Sequence, residues 1–430
     1  MRTLVTDLEA GVARRLGLLS NHDAAVCAED VAAARDCTGC FGCFTRTPGV
    51  CALHDRLRDV ASLMGASDEL DIVSRSVFGW VSPAVKRVLD RLLAGSDARF
   101  EVHDGMMCHR PRYAVLPRLR IWLYGDSTAQ ERACATVLAR AMAKTGHDEL
   151  AGIAFPADPS EIAACHMEDA EAPGGAGDGQ AGEPFAIAAP GSSPRLARRI
   201  ALVNLSPHRE RSTTNALLDD FEEALGVYAG LDAVDNGGGD GVPVPRIERF
   251  SWNRTGAFDP KRLGQVDTVV FAYPLYVNAL PAPAVELLET LASSAHAGGA
   301  FAPGTRIYAI SNCGFFEPAQ IHPSFGLLEA FCSRVGAVWG GGLAVGGGPV
   351  RAEFMGGPRM GMLRRGLSEA MDRLILAVRC GSDAGVIDTA PPMPRALYRF
   401  GAEARWRAEA RHNEVDLGRQ VPYRGQYDIT

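Results

Sequence analysis

Twice along the chain, short runs of apolar and β-branched residues alternate with segments of helical period. This alternation constrains the fold more than any other feature of the sequence. It is clearest in the second half. Arg199–Leu205 (RIALVNL) reads as a buried strand, and Ser206–Leu225 follows with Leu217, Leu218, Phe221 and Leu225 on one helical face. Val244–Phe250, Asp267–Tyr273, Arg306–Asn312 and the glycine-rich Val338–Val345 read as four further strands. Helices fit over Glu286–Leu291, Pro323–Val335 and Gly361–Val378. Five strands alternating with helices predict an α/β fold with a parallel sheet covered on both faces. An unrelated α/β fold with the same element order is the alternative.

The first half repeats the plan less completely. Thr3–Leu8, Ala24–Ala28, Leu70–Ser76, Leu119–Gly125 and Leu150–Pro156 read as strands, and His54–Leu63, Pro83–Leu93 and Ala129–Ala143 as helices. Too few residues separate Leu8 from Cys37 for a full crossover helix, another strand and their loops, so the first helix is expected to be missing. Between the halves, Ala172–Pro184 is mostly Gly, Ala, Pro and acid, and reads as a linker or exposed insertion. The expected organisation is a degenerate domain over 1–165, a linker over 166–198, a second domain over 199–380 and a C-terminal extension over 381–430. In the extension, Leu397, Phe400 and Trp406 either cover an open surface or belong to an ordinary terminal helix.

Composition narrows the function. With 47% hydrophobic and 22% charged residues in a chain of 430, each domain can bury a full core. Lys plus Arg is 44 against 51 acidic residues, which disfavours a nucleic-acid or acidic-membrane partner. No apolar run has the length of a membrane span, and no signal-like stretch follows Met1-Arg2, so a cytoplasmic location is expected. In that reducing setting, eleven cysteines point toward metal or redox chemistry rather than disulfides.

One loop could hold a phosphate. Ser206–Asn215 joins a strand to a helix, which in a parallel sheet puts it at the carboxyl edge beside free helix N–H groups. Ser206, Ser212, Thr213 and Thr214 offer hydroxyls, Asn215 can brace the loop, and Arg209 and Arg211 add charge. No GxGxxG or GxxxxGK[ST] occurs there, against an ordinary dinucleotide or P-loop site. A polar helix cap without a ligand is the plain alternative. Two loops at the same edge favour a ligand: Pro274, Leu275, Tyr276, Val277 and Asn278 offer an aromatic and an apolar shelf for a flat ring. Asn312, Cys313, Gly314, Phe315, Phe316 and Glu317 offer backbone N–H groups at its polar rim.

These segments resemble the flavodoxin-like family of NAD(P)H-dependent FMN reductases and their iron–sulfur flavoprotein relatives. The resemblance implies that Ser206-Pro207 and Ser212 to Asn215 hold the FMN phosphate. It also implies that Pro274 to Tyr276 flank the isoalloxazine and that the NCGFFE stretch forms the next ring-side loop. The first half resembles the same family in its cysteine segment, in Ser82–Arg91, and in Val77-Phe78-Gly79-Trp80 at the place of a flavin-side loop. It departs where the phosphate loop should be, reading EAGVARR after Leu8, so an FMN of its own is not expected there. The fold implied is a tandem of flavodoxin-like doubly wound parallel sheets, the first one degenerate.

Cys37, Cys40, Cys43 and Cys51 form C-x2-C-x2-C-x7-C. Four thiolates so close in sequence can converge on one ion or cluster. The compact stepping is nearer an iron–sulfur pattern than two separated zinc hairpins. In the resembling family such spacing carries a [4Fe–4S] cluster; zinc and free or exchanging thiols remain the alternatives. Cys27, Cys134, Cys332 and Cys380 lie in apolar settings and are expected in the core. Cys313 either touches flavin or is a structural thiol.

His103–Tyr113 (HDGMMCHRPRY) reads as a surface loop. Its His109, Arg110, Arg112 and Tyr113 could instead clamp a nicotinamide phosphate or pack across to the other unit, and Cys108 with His109 could join a metal site. Gly340–Pro349 is too glycine-rich for an ordinary strand interior, and no helix is expected directly after it. His322 is expected to cap the preceding helix start.

The function these expectations favour is an FMN-dependent oxidoreductase taking hydride from NAD(P)H and passing electrons to a quinone, flavin or other small acceptor. A non-catalytic iron–sulfur/FMN electron-transfer protein reduced by a partner protein is the main alternative, and a structural protein that has lost its cofactors is a third. Self-association is common in the family; here the two fused units could pack as a dimer does.

Overall fold

The computed structural model describes residues 1–165, 167, 196–208, 212–235, 244–252, 258–295 and 301–429. Most of the linker expected over 166–198 lies outside them. In the first unit, β1 (Arg2–Thr6), β2 (Ala24–Val26) and β3 (Glu69–Val77) precede a short β4 (Trp80–Val81) and the hairpin strands β5 (Ser96–His103) and β6 (Met106–Pro111). β7 (Arg118–Tyr124) and β8 (Glu149–Ala154) complete it. The main sheet has the order β2-β1-β3-β7-β8, all parallel, with β4 antiparallel to the end of β3.

The second unit contains β9 (Arg199–Asn204), β10 (Arg246–Ser251), β11 (Thr268–Pro274), β12 (Arg306–Asn312), β13 (Val338–Val345) and β14 (Val386–Thr389). These run parallel in the order β10-β9-β11-β12-β13-β14. Both sheets therefore have the flavodoxin-like doubly wound order, second-first-third-fourth-fifth, and the second adds a sixth strand. The central strands are buried on both faces, as parallel sheets sandwiched by helices require.

One core runs through both units. Ile72, Val85 and Leu138 of the first belong to the same apolar cluster as Val203, Phe271, Val285 and Leu328 of the second. The helix after the third main strand, Pro83–Arg91, packs on its counterpart Ala282–Ala295; the helix after the fourth, Ala129–Gly146, packs on His322–Val335. Like elements meet like elements, the arrangement of a twofold dimer interface written into one chain. Phe78 stands edge-on to Phe331 across this seam, ring centroids 5.2 Å apart.

Several sequence expectations need correction. The first crossover helix is present, compressed into Ala10–Arg15 and a 3-10 turn at Leu18–Asn21, whose Ala13, Leu18 and Leu19 cover Leu4 and Val73. His103–Tyr113 is largely not a surface loop: it holds the end of one hairpin strand and most of the other. Asp104 and Gly105 turn the hairpin with positive φ of 46° and 79°, as a two-residue turn demands. A helix, Gly348–Phe354, does begin directly after β13. His322 provides no cap; its imidazole meets Asp388 on β14, 2.7 Å away.

Beyond β14, which adds the start of the expected C-terminal extension to the second sheet, residues 390–429 wrap back onto the first unit. Helix Arg395–His412 lies on the hairpin, where Glu403 accepts from the Phe100 N–H at 3.1 Å. The last residues reach β2, where Ala25 N–H donates to Tyr427 O. No helix among the described residues is long and apolar enough to cross a membrane.

Candidate functional site

The three loops singled out from the sequence meet at the carboxyl edge of the second sheet. Asn312, at the end of β12, donates to the Thr214 hydroxyl at 2.9 Å, and its carbonyl accepts from Leu275 N–H at 2.8 Å. Ser206, Ser212 and Thr214 are buried. Ser212 Oγ accepts from Asn215 N–H, capping the long helix Thr213–Asp235. Ser206 accepts from His208 N–H, and Asn204 braces both sides, taking the Ser206 N–H and donating to Asn215. The first turn of that helix thus presents hydroxyls and N–H groups at the sheet edge, the donor set an anion needs. Arg209 and Arg211 lie outside the described residues.

The ring-side loop has a fixed shape. Tyr276 and Ala279 bond to each other in both directions, while Val277 and Asn278 between them have φ of 43° and 58°. Two consecutive non-glycine residues in the left-handed region are held there by contacts from the first unit. Thr145 donates to Asn278 Oδ1 at 2.7 Å, and the fully buried Lys86 donates to the Tyr276 carbonyl at 2.8 Å. Lys86 is ion-paired with Asp90, whose other oxygen accepts from Ala282 N–H at 2.9 Å. Burial depresses the lysine and, despite the ammonium, pushes the Asp90 carboxyl up to about 6.

The second ring-side loop is fastened from the other side. Tyr398 of the C-terminal helix donates to Gly314 O at 2.8 Å, and Glu317 accepts from Met107 N–H of the hairpin at 3.0 Å. Cys313 is buried with its thiol aimed at the Phe315 and Glu317 carbonyls of its own loop, so it acts as a structural thiol. Between these loops and the first unit lies a crevice of about 340 Å³, with Leu275 to Asn278, Gly314, Phe315 and Val350 on one wall and Leu89, Phe100, His109 and Tyr113 opposite. It is mostly apolar, the kind of space that receives a flat ring. Pro274 is the last residue of β11, directly before Leu275.

The corresponding places in the first unit are closed. The end of helix Ala10–Arg15, where an anion would be held, is taken by Glu29, whose carboxylate accepts from Ala10 N–H at 2.9 Å. In the Val77–Trp80 turn, a Cβ on Gly79 would lie 2.4 Å from Glu131 O, leaving no room for a ring.

Cys37, Cys40, Cys43 and Cys51 are free and half-buried or buried. Burial, then Cys51 and Cys40, pushes Cys43 up to about 12, while burial, then Asp90, Cys43 and Cys51, raises Cys37. The buried cations Lys86, Arg91 and Arg112 feel these thiols in turn. The segment rests on the ring-side loop: Gly39, at φ 64°, sits so near the Tyr276 hydroxyl that a Cβ would come within 2.0 Å of it. Cys27, Cys134 and Cys332 are core residues, and Cys380 is half-buried.

The basic patch expected around Arg112 does not clamp a phosphate. Arg112 is buried and donates to the carbonyls of Ala94, Ser96, Leu417 and Arg419, and Tyr113 donates to Val421 O, so both hold the C-terminal tail. Arg110 faces Glu101 on the surface. His109 packs between Phe44, Phe100 and Phe315, which carries it across to the second unit. Burial lowers its imidazole to about 4. Sequence reasoning missed Lys86, Asp90, Thr145 and Tyr398. Lys86 and Asp90 lie in Ser82–Arg91, a segment singled out for its resemblance but given no role, and Thr145 on a helix with no motif; only the packing of the two units shows what they touch.

No family model and no curated protein matches the sequence. Solved structures similar to it include an azoreductase from Bacillus anthracis str. Sterne, at 14% identity over 41% of this chain and 98% of the other, with a TM-score of 0.28. An NADPH-quinone reductase from P. pentosaceus matches at 18% identity over 42% and 95%, TM-score 0.26. An NAD(P)H:quinone oxidoreductase from Methanothermobacter marburgensis matches at 16% over 42% and 94%, also 0.26. The flavodoxin-like class of the chain rests on its strand order.

Proposed function

We propose that the chain is an FMN-dependent oxidoreductase that accepts hydride from NAD(P)H and passes electrons to a quinone, flavin or other small acceptor. The observation that carries this reading is the meeting of three loops, after β9, β11 and β12, at the second sheet's carboxyl edge, where the latter two line an apolar crevice and Asn312 ties them to Thr214 of the first. The residues there fit the group: Ser206, Ser212, Thr213, Thr214 and Asn215, with Arg211, would hold its phosphate. Leu275, Tyr276, Asn278, Asn312, Gly314 and Phe315 would shape its ring site. When bound, FMN supplies reversible two-electron acceptance that no side chain provides. The chain positions and shields: Lys86 and Thr145 hold the Tyr276–Asn278 turn in its left-handed shape, and the first unit excludes water from one side of the crevice.

Cys37, Cys40, Cys43 and Cys51 would hold a [4Fe–4S] cluster. Support comes from the compact spacing of the four cysteines and from the buried Arg91 and Arg112 near them, whose charge would offset that of such a group. Their place against Tyr276 favours a second reading, a non-catalytic iron–sulfur/FMN electron-transfer protein reduced by a partner. Anaerobically purified protein tests both. Retention of one FMN per chain and NAD(P)H oxidation with an added quinone are expected; binding of FMN without NAD(P)H oxidation would support the second reading. Failure to retain FMN would overturn both.

A further inference from the structure

Away from the crevice, the hairpin and the end of helix Ala129–Gly146 bring together a thiol, an imidazole and a carboxylate. Glu101 and Cys108 are direct cross-strand partners of β5 and β6, so their side chains leave the same face of the hairpin. His147 caps the helix in a left-handed conformation, φ 64°, which turns its ring onto that face. Its Nε2 lies 3.2 Å from Cys108 Sγ and 3.1 Å from Glu101 Oε1, and the three ligand atoms all lie within 4.8 Å of one another. A tetrahedral zinc with ordinary bond lengths would space such S, N and O atoms roughly 3.3–3.6 Å apart. Small movements therefore suffice to close the site.

The surroundings suit a cation. Asp104 and Glu317 add negative charge near Cys108, against Lys144 at the turn and Arg110, 3.6 Å from Glu101. His103, two residues from Glu101, holds its ring 4.4 Å from that of His147 at a tilt of 53° and would have to turn to serve as a fourth ligand. Cys108 is buried, whereas the Glu101 side chain keeps about a third of its surface in water, an entry path for an ion. None of the three lines the crevice described above, so this cluster is separate from it.

We infer that Glu101, Cys108 and His147, with His103 available as a fourth ligand, form a mononuclear zinc-type site that pins the β5–β6 hairpin to the helix Ala129–Gly146. On binding, the Cys108 and imidazole proton positions adjust in the ordinary way: the thiol proton is released to solvent and the neutral imidazole and carboxylate coordinate without redox change. The pinned hairpin is the one that gives Met107 N–H to Glu317 and takes Gln320 at Met107 O, 2.8 Å, so the ion would brace the ring-side loop at second hand.

The test uses full-length protein with its four-cysteine segment intact and Co2+ as the probe. Wild type minus Cys108→Ala should show a thiolate-to-cobalt band in the near ultraviolet and tetrahedral d–d bands in the visible, with one ion fewer per chain by elemental analysis. His147→Gln should lose the same ion, and Cys51→Ala should leave that difference spectrum in place. Glu101→Gln, at the solvent-facing edge and therefore safe for folding, should weaken binding of that ion by about tenfold or more. Cobalt and zinc contents equal to wild type in Cys108→Ala and His147→Gln would overturn the proposal. So would an unchanged affinity in Glu101→Gln if the other two variants do not fold.

Discussion

Lys86 and Asp90 are the buried charges on which the seam between the units turns, and replacing Lys86 by Met isolates their role. Methionine keeps most of the stem volume and removes the ammonium. Asp90 then keeps only Ala282 N–H, and the Tyr276 carbonyl loses its side-chain donor and keeps only Ala279 N–H. Breaking a buried pair from one side costs about 3–5 kcal/mol. The lower end, about 3 kcal/mol, is expected because Asp90 can relieve itself by taking up a proton. With a urea m-value near 3 kcal/mol/M, the unfolding midpoint falls by about 1 M. The pH dependence carries a sign. The Asp90 carboxyl is already raised to about 6 beside Lys86 and rises further without it. The stability gap between wild type and variant is therefore full above the variant's pKa, shrinks as pH falls from there to about 6, and is flat below. Urea unfolding of wild type, Lys86→Met, Asp90→Asn and the double variant at pH 8 and pH 5.5 reads both effects, and the double variant should lose less than the sum of the singles. A loss under about 1 kcal/mol at pH 8, unchanged at pH 5.5, would refute the reasoning.

Gly39→Ala should force the cysteine segment off the Tyr276 ring and lower stability by about 1–2 kcal/mol through its left-handed backbone alone. Adding Tyr276→Phe should recover the steric part, and a thermal melt without such recovery would show that the two segments do not touch. Arg112→Ala leaves four carbonyls without their donor and should cost about 3 kcal/mol or more. Limited proteolysis should then cut residues 413–429, and an intact tail would count against that role. Burial raises the Asp148 carboxyl to about 8. Its ionised form is disfavoured in the fold, so stability from this group falls as pH rises from about 4 to about 8 and is flat above. Asp148→Asn should accordingly raise the melting temperature more at pH 8.5 than at pH 5; an equal gain at both would place Asp148 in water.

The second sheet was legible because its strands are continuous apolar runs bounded by turn residues: Arg306–Asn312 and Val338–Val345 coincide with β12 and β13. The hairpin was hidden for the opposite reason. Its strands carry Glu101, His103, His109 and Arg110 where alternation should show apolar residues, and only Asp104-Gly105 betrayed the turn. The first crossover helix escaped because it is six residues long. The loops around the crevice could be picked out by residue type, since hydroxyls, an aromatic and a glycine follow three successive strands. What covers them could not. Lys86, Thr145 and Tyr398 reach the ring-side loops from positions remote in sequence, and the Glu29 carboxylate at Ala10 depends on the relative placement of two short helices. No local periodicity encodes such meetings.

Because the opposing wall of the crevice belongs to the same polypeptide, it cannot be lost on dilution. Where a separate subunit supplies that wall, assembly follows mass action and the pocket opens below the dissociation constant. Here the effective concentration is set by covalent linkage. Whatever the crevice does should therefore be done equally well by a single molecule at nanomolar levels.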